Sequence, residues 1–108
     1  MNWFRKGADG KFVWPGYGEN MRVLSWMLDR VDGQGGGVPH AFGTSPAFDD
    51  LQWRGLAFTR EQFASVIGLD KAAWQQELKL HDELFATLAY HLPRELKTVR
   101  ERIERDLA

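Results

Sequence analysis

The residues best suited to chemistry lie at the start of the chain, where aromatic side chains alternate with glycines. Residues 2–20 contain five aromatic side chains, interleaved with and followed by four glycines and one proline. Glycine lets a backbone turn tightly and approach a ligand, and an aromatic face offers a flat apolar surface on which a planar base can stack. The rings are Trp3, Phe4, Phe12, Trp14 and Tyr17. We interpret residues 2–20, the aromatic segment, as a candidate base-binding site.

Selection of one base requires polar groups in addition to rings. Stacking contributes about 1–3 kcal/mol per base, and it tolerates any base because every base has a flat face. The amide of Asn20, at the end of the aromatic segment, is placed to read a base edge. A wrong base would leave buried donors or acceptors unpaired and would therefore be rejected. Packing into the hydrophobic core is the alternative explanation for any one of the rings.

Other side-chain types form no comparable pattern. His81 and His91 lie ten positions apart in a predicted helix, a spacing unlike that of metal ligands, and His40 stands alone in a loop. Asp49 and Asp50 are adjacent, and adjacent side chains do not converge, so a solvated loop or a helix cap is expected instead of acid–base chemistry. The chain has no cysteine and no Gly-x-Ser-x-Gly motif for a nucleophile. We expect no catalytic group and no metal ligand here.

Composition narrows the class of protein. The 108 residues fit one domain, and 14 basic against 15 acidic side chains give a net charge of -1. This balance lacks the basic character of proteins that bind nucleic acids or anionic membranes. No apolar run approaches the length of a membrane span, and the first residues lack the order of a signal peptide. We expect a cytoplasmic protein with neither a nucleic acid nor a membrane as partner.

Helices are expected to support the aromatic segment. Asp9-Gly10 is a turn signal before the extended residues 11–14, so a short hairpin or an ordered loop both fit there. Apolar residues recur at helical spacing through residues 20–32, with Asn20 as the N-cap and Gly33 as the stop. The sequence GQGGG at residues 33–37 follows a helix and precedes no Gly-Lys-Ser/Thr, which favours a linker over a phosphate-binding loop. An irregular segment is expected to complete residues 33–58.

Residues 59–108 are predicted to form a helical scaffold. Thr59 begins a capping-box pattern before a short helix that Gly68 ends. Asp70 is expected to cap a longer helix that continues to His91, and Pro93 is placed to open the last helix. We predict a mainly α fold, in which the N-terminal aromatic and glycine-rich loop or hairpin is followed by four to five helices.

Three stretches resemble a known family. NWFRK at residues 2–6, KFVWPGYGEN at residues 11–20 and MRVLSWMLDRVDG at residues 21–33 resemble the C-terminal part of GTP-dependent phosphoenolpyruvate carboxykinases. The similarity covers essentially the whole chain and is looser after Gly33. The later matching positions are Phe42-Gly43, Pro46, Asp49, Leu51, Gly55-Leu56, Trp74, Glu77 and Leu92-Pro93.

This resemblance implies a ligand and a role for each ring. In the family, oxaloacetate and GTP are converted to phosphoenolpyruvate, carbon dioxide and GDP with Mn²⁺ and Mg²⁺, and the matching segment forms the guanine pocket. By position, Phe4, Phe12 and Tyr17 would surround the guanine of GTP or GDP, and Asn20 would hydrogen-bond its edge. The third ring is commonly phenylalanine in the family, and Tyr17 keeps the stacking face while adding a hydroxyl. Trp3 and Trp14 are expected to hold these rings apart.

The resemblance also implies that much of the enzyme is missing. The family's phosphate-binding loop, metal ligands, reactive cysteine and substrate-binding arginines lie upstream of the positions that this chain matches. We therefore expect a C-terminal fragment with an added Met1, part of a larger α/β enzyme domain, inactive alone and without ligands for Mn²⁺ or Mg²⁺. Its expected partners are a guanine nucleotide and the upstream portion of the enzyme. The alternative is a stand-alone helical interaction module whose exposed aromatics bind a protein or another copy of the chain.

Overall fold

The computed structural model describes all residues, Met1–Ala108, and divides them into two compact units. The first unit comprises Met1–Pro39 and Gly43–Gly68, and the second comprises His40–Phe42 and Leu69–Ala108. The α-helices are α1 (Asn20–Val31), α2 (Arg60–Ile67), α3 (Lys71–Thr87) and α4 (Arg94–Leu107). Short 3₁₀ helices cover Tyr17–Glu19 and Phe48–Asp50, and the strands β1 (Val38–His40) and β2 (Gly43–Ser45) pair with each other. The mainly helical prediction is confirmed, whereas the two strands were not predicted.

The first residues form a closed loop that lies between the two alternatives expected from the sequence. The amide of Gly7 donates to the carbonyl of Lys11 at 2.9 Å, and the amide of Val13 donates to the carbonyl of Arg5 at 2.9 Å. Gly10 turns the chain between these bonds with a φ of 75°, a conformation that residues with a Cβ rarely adopt. The loop thereby places the residues on its two sides opposite each other, as a minimal hairpin does.

α1 starts where the sequence predicts, but Asn20 does not cap it. Asn20 is the first residue of α1, and the preceding 3₁₀ turn leads the chain directly into the helix. No side chain caps α1, because the Asn20 amide oxygen is hydrogen-bonded to the indole of Trp14 instead. The predicted N-cap role is therefore wrong, and the Asn20 side chain does not cap the backbone of α1.

The core of the first unit is built mainly from aromatic rings. Trp14 is 3% exposed and meets Phe58 edge to face, with ring centroids 5.7 Å apart. Trp53 contacts both rings, edge to face with Trp14 at 6.4 Å and stacked on Phe58 at 5.3 Å. Aromatic pairs of this geometry add about 0.5–1.5 kcal/mol each beyond the area that they bury. The buried core residues are Trp14, Val23, Trp26, Leu51, Phe58, Phe63 and Val66.

α2 is capped as predicted and is tied to the aromatic segment. The Thr59 hydroxyl accepts from the amide of Gln62, and the Gln62 side chain accepts from the amide of Thr59, which completes a capping box. At the other end of α2, the guanidinium of Arg5 donates to the carbonyls of Ser65 at 2.6 Å and Gly68 at 2.8 Å. The last carbonyls of a helix lack intrahelical partners, so a cation satisfies both their hydrogen bonds and the helix dipole.

Segment 33–58 carries more order than a linker. The carbonyl of Gly36 accepts a hydrogen bond from the Trp26 indole at 3.0 Å, which ties the glycine-rich stretch to α1. Asp49 pairs with Arg60 at 2.5 Å, while Asp50 accepts from the amide of Ala47 at 2.7 Å. The two neighbouring carboxylates thus have separate structural partners, as expected for a cap and a solvated loop.

The second unit is a helical hairpin of α3 and α4. The Asp70 side chain accepts from the amide of Ala73 and caps α3 as predicted. α3 ends at Thr87, one turn before the predicted end at His91, because the exposed side chains that follow have no core to pack against. Tyr90 there is fully exposed. No helix of the chain combines the length and apolar character that crossing a membrane would require.

One arginine links the two helices of the hairpin. The guanidinium of Arg100 on α4 donates to Asp82 on α3 at 2.6 Å and also pairs with Glu104 on its own helix. The hydrogen bond to Asp82 raises the pKa of Arg100 above its ordinary value. The Arg100 side chain is 13% exposed and that of Asp82 is 54% exposed, so the ion pair is shielded from solvent mainly on the arginine side.

Candidate functional site

A cavity opens beside the aromatic segment and is lined by all four residues that the sequence singled out. Its volume is about 280 Å³, close to the lower end of the range for small-molecule sites. The lining residues are Trp3, Phe4, Phe12, Trp14, Gly16, Tyr17 and Asn20. The cavity is therefore almost entirely aromatic, with the Asn20 amide as its main polar side chain.

Phe4 and Phe12 form one wall, supported by the closed loop. Their ring centroids are 6.3 Å apart and the ring planes are inclined at 75°, an edge-to-face pair. Both rings are largely exposed, Phe4 to 77% and Phe12 to 59%, so much of each ring is open to a ligand. Lys6 places its ammonium 5.6 Å from the centroid of Phe12. The cavity lining contains no basic side chain, so Lys6 supplies positive charge beside it.

Tyr17 also lines the cavity and follows the turn at Pro15-Gly16. It begins the 3₁₀ helix that leads into α1, directly after Gly16, whose φ of 123° requires glycine. The side chain is 92% exposed and belongs to no core cluster. An exposed ring of this size at the edge of an apolar cavity is a surface on which a planar ligand can stack.

Asn20 and Trp14 connect the cavity to the core. The indole Nε1 of Trp14 donates to Oδ1 of Asn20 at 2.8 Å. Trp14 itself is buried, whereas Trp3 stacks on it at 6.5 Å and remains partly exposed at the cavity. The hydrogen bond joins residues six positions apart across Pro15-Gly16, and nothing in the sequence pattern indicated it. The lining role of Gly16 was also not predicted.

Side chains that could bind a metal ion do not cluster in the structure. No group of three or more His, Cys, Asp or Glu side chains lies close enough to hold a metal ion. The residues present therefore do not fit a site for Mn²⁺ or Mg²⁺, and we derive no step through either ion. The chemistry that the aromatic cavity supports is binding of a flat ligand with one polar contact at its edge.

Comparison with known proteins identifies relatives over nearly the whole chain. The family model described as "Phosphoenolpyruvate carboxykinase C-terminal P-loop domain" matches residues 1–106. A protein of Anaeromyxobacter dehalogenans (strain 2CP-1) named phosphoenolpyruvate carboxykinase [GTP] is 45% identical over 101 residues, 94% of this chain. A protein of Treponema pallidum (strain Nichols) with the same name is 37% identical over 105 residues, 96% of this chain. In both cases the chain spans only 17% of the relative's length.

Proposed function

Because the chain belongs to the phosphoenolpyruvate carboxykinase C-terminal P-loop domain family, we propose that it is the guanine-recognising part of a GTP-dependent phosphoenolpyruvate carboxykinase. In this proposal the full-length protein converts oxaloacetate and GTP to phosphoenolpyruvate, carbon dioxide and GDP. Phe4, Phe12 and Tyr17 stack around the guanine, and Asn20 hydrogen-bonds its edge. The observation that supports the assignment most directly is that these four residues line one cavity.

The physical character of the cavity fits a base better than it fits a phosphate. Its walls are apolar rings, no basic side chain is among its lining residues, and the ammonium of Lys6 lies over the Phe12 ring. The chain contains no Gly-x-x-x-x-Gly-Lys-Ser/Thr motif, which is the usual cradle for nucleotide phosphates. We infer that the triphosphate and metal contacts are supplied by upstream residues. The 108-residue chain should then bind guanine nucleotides weakly, because charge-assisted contacts to phosphate are among the strong ones.

Nuclear magnetic resonance (NMR) titration tests the base-binding part of the proposal. ¹⁵N-labelled chain is titrated with GMP and separately with AMP, since monophosphates reduce the influence of missing phosphate contacts. GMP should shift the amide signals of the aromatic segment at lower concentration than AMP. Tyr17→Ala should weaken GMP binding by about 5- to 150-fold, the effect of removing one stacked ring.

A second exposed tyrosine provides the control. Tyr90 is fully exposed and lies in the second unit, outside the cavity, so Tyr90→Ala should leave GMP binding unchanged. Equal affinity of the unsubstituted chain for GMP and AMP would contradict guanine recognition. Equal effects of Tyr17→Ala and Tyr90→Ala would contradict the assignment of Tyr17 as a stacking wall.

The enzymatic part of the proposal needs a longer chain. We expect a chain extended upstream to the length of its relatives to release phosphoenolpyruvate from oxaloacetate and GTP, and the 108-residue chain to release none. A coupled assay for phosphoenolpyruvate measures both. Activity in the short chain would show that the chemistry lies in residues present here.

A second candidate function is protein interaction through α1. Four apolar side chains follow one side of this helix at spacings of three and four residues and are 39–82% exposed. They are Met21, Leu24, Leu28 and Val31. An apolar stripe of this kind is typical of a helix that packs against another element. We propose that it contacts the upstream portion of the enzyme and that the isolated chain self-associates through it.

Sedimentation velocity over a range of concentrations tests this interaction. Leu28→Lys should reduce self-association, because it places a charge in the centre of the stripe. Leu80→Lys is a matched control, since Leu80 is 55% exposed against 63% for Leu28 but lies on α3. A chain that is monomeric at all concentrations would contradict self-association.

A further inference from the structure

The orientation of the Asn20 amide is fixed by chemistry as well as by geometry. An indole N–H is a donor only, so the atom of Asn20 that meets Nε1 of Trp14 at 2.8 Å must be the amide oxygen. Turning the amide over would place its nitrogen, a donor, against the indole N–H, which is also a donor. The amide nitrogen of Asn20 therefore points away from Trp14. It makes no hydrogen bond within the chain and is not among the buried polar atoms that lack a partner, so it is accessible to a ligand.

Trp14 cannot easily turn away from this contact. Its ring is 3% exposed and lies within 6.5 Å, centroid to centroid, of three other aromatic rings. These rings are Trp3, Trp53 and Phe58. Close packing of this kind holds a side chain in one rotamer. The donor that orients Asn20 is therefore itself held by the core.

A fixed amide distinguishes purines at one position of the ring. Guanine carries the acceptor O6 where adenine carries the donor N6 amino group. A nitrogen donor can pair with O6 but faces another donor in adenine, and an unpaired donor in a closed site weakens binding. We propose that Trp14 is the positioning residue for base choice, because it holds Asn20 with the amide nitrogen available to the cavity and so selects 6-oxo purines over 6-amino purines.

This inference rests on the proposed function, since it concerns the same cavity. It adds one residue, Trp14, which acts on base choice through Asn20 and not through a hydrogen bond to the base. Without the Trp14 donor, the Asn20 amide can turn over and present either its oxygen or its nitrogen. Both guanine and adenine would then find a partner, and discrimination would fall while stacking remained.

The test compares the affinities of GMP, IMP and AMP by NMR titration of the 108-residue chain. IMP has the 6-oxygen but lacks the 2-amino group, so it should bind like GMP if position 6 is read. The unsubstituted chain should prefer both over AMP by on the order of tenfold, the effect of one unpaired hydrogen-bonding group. Trp14→Phe keeps a ring in the core but removes the donor, and should bring the ratio of GMP to AMP affinity close to one.

Trp53→Phe is the matched control. Trp53 packs in the same aromatic cluster and its indole also donates one hydrogen bond, to the carbonyl of Phe48 at 2.8 Å, but it does not line the cavity. This variant should keep the base preference of the unsubstituted chain. A folded Trp14→Phe variant that also keeps this preference would overturn the inference while leaving the proposed function intact.

Asn20→Asp gives an answer even if Trp14→Phe fails to fold. One carboxylate oxygen still accepts from Trp14, and the second replaces the amide nitrogen with an acceptor. The carboxylate can no longer donate to O6 but can accept from N1–H and from the 2-amino group of guanine, so GMP should then bind more tightly than IMP, which lacks that amino group. Equal affinities of GMP and IMP for Asn20→Asp, as in the unsubstituted chain, would overturn the inference. A lack of GMP binding by the unsubstituted chain would instead overturn the proposed function and this inference with it.

Discussion

Arg5 ties the aromatic segment to the C-terminal end of α2, in addition to the core packing of Trp14. Its guanidinium donates to the carbonyls of Ser65 at 2.6 Å and Gly68 at 2.8 Å, while its own carbonyl accepts from the amide of Val13. Removing the side chain leaves the last carbonyls of α2 without these donors and frees the loop that supports Phe4. We predict that Arg5→Ala destabilises the first unit and weakens the cavity together.

The size of the effect follows from the contacts. A hydrogen bond to a charged group contributes about 1.5–3 kcal/mol, and a cation at a helix C-terminus adds about 0.3–1 kcal/mol. Both bonds of Arg5 come from one guanidinium nitrogen, Nη1, near the protein surface, so solvent screening reduces their sum. We expect a loss of about 2 kcal/mol in the free energy of unfolding. Arg5→Lys should recover less than half of it, because the lysine ammonium is a more strongly hydrated charge on a flexible four-carbon side chain.

Urea unfolding followed by tryptophan fluorescence measures this loss. Four of the five tryptophans lie in the first unit, so the signal reports mainly on that unit. A loss of about 2 kcal/mol lowers the urea midpoint by about 1 M for a slope of about 2 kcal/mol per M. Lys11→Ala, which removes a nearby exposed cation, is the control. A midpoint unchanged in Arg5→Ala, or fully restored in Arg5→Lys, would refute the role assigned to these two bonds.

Three further substitutions test other supports of the fold. Gly10→Ala should lower the free energy of unfolding by about 1 kcal/mol, because the φ of 75° disfavours a Cβ although no atom lies within 4 Å of it. Gly18→Ala is the control in the same urea assay and should cost less, since Gly18 has equal space and no positive φ. Thr59→Ala should lose about 1 kcal/mol with the capping box, read from faster hydrogen exchange at the start of α2. Arg100→Ala should destabilise the α3–α4 hairpin by about 2 kcal/mol, since it removes a shielded ion pair, and Lys97→Ala on the exposed side of α4 should change thermal unfolding little.

Local signals in the sequence were sufficient wherever one short pattern determines one local structure. The capping box at Thr59 and the cap at Asp70 were predicted and are present, because each depends on a side chain and an amide three residues away. The start of α1 was also placed correctly, although no side chain caps this helix and the cap predicted for Asn20 is absent. The end of α3 was placed one turn too late, since apolar spacing continues to His91 although no core exists there for the last turn.

Residue type and family resemblance together indicate where the candidate site lies. Aromatic rings among glycines in residues 2–20 indicated a base-binding segment, and the structure brings Phe4, Phe12, Tyr17 and Asn20 around one cavity. Their roles toward guanine stay a prediction. The two strands of residues 38–45 escaped prediction because each is only three residues long, too short for an alternating pattern to register.

The sequence by itself determined the rings and the asparagine that line the cavity, although not the lining role of Gly16, because these residues lie within twenty neighbouring positions and close on one another through local hydrogen bonds. Only the tertiary structure decided what Asn20 does. Its residue type and position were equally compatible with capping α1, and the choice was made by Trp14, whose indole is held against Asn20 by rings from distant parts of the first unit. A hydrogen bond chosen by core packing depends on side chains that are far apart in sequence, and no local pattern contains it.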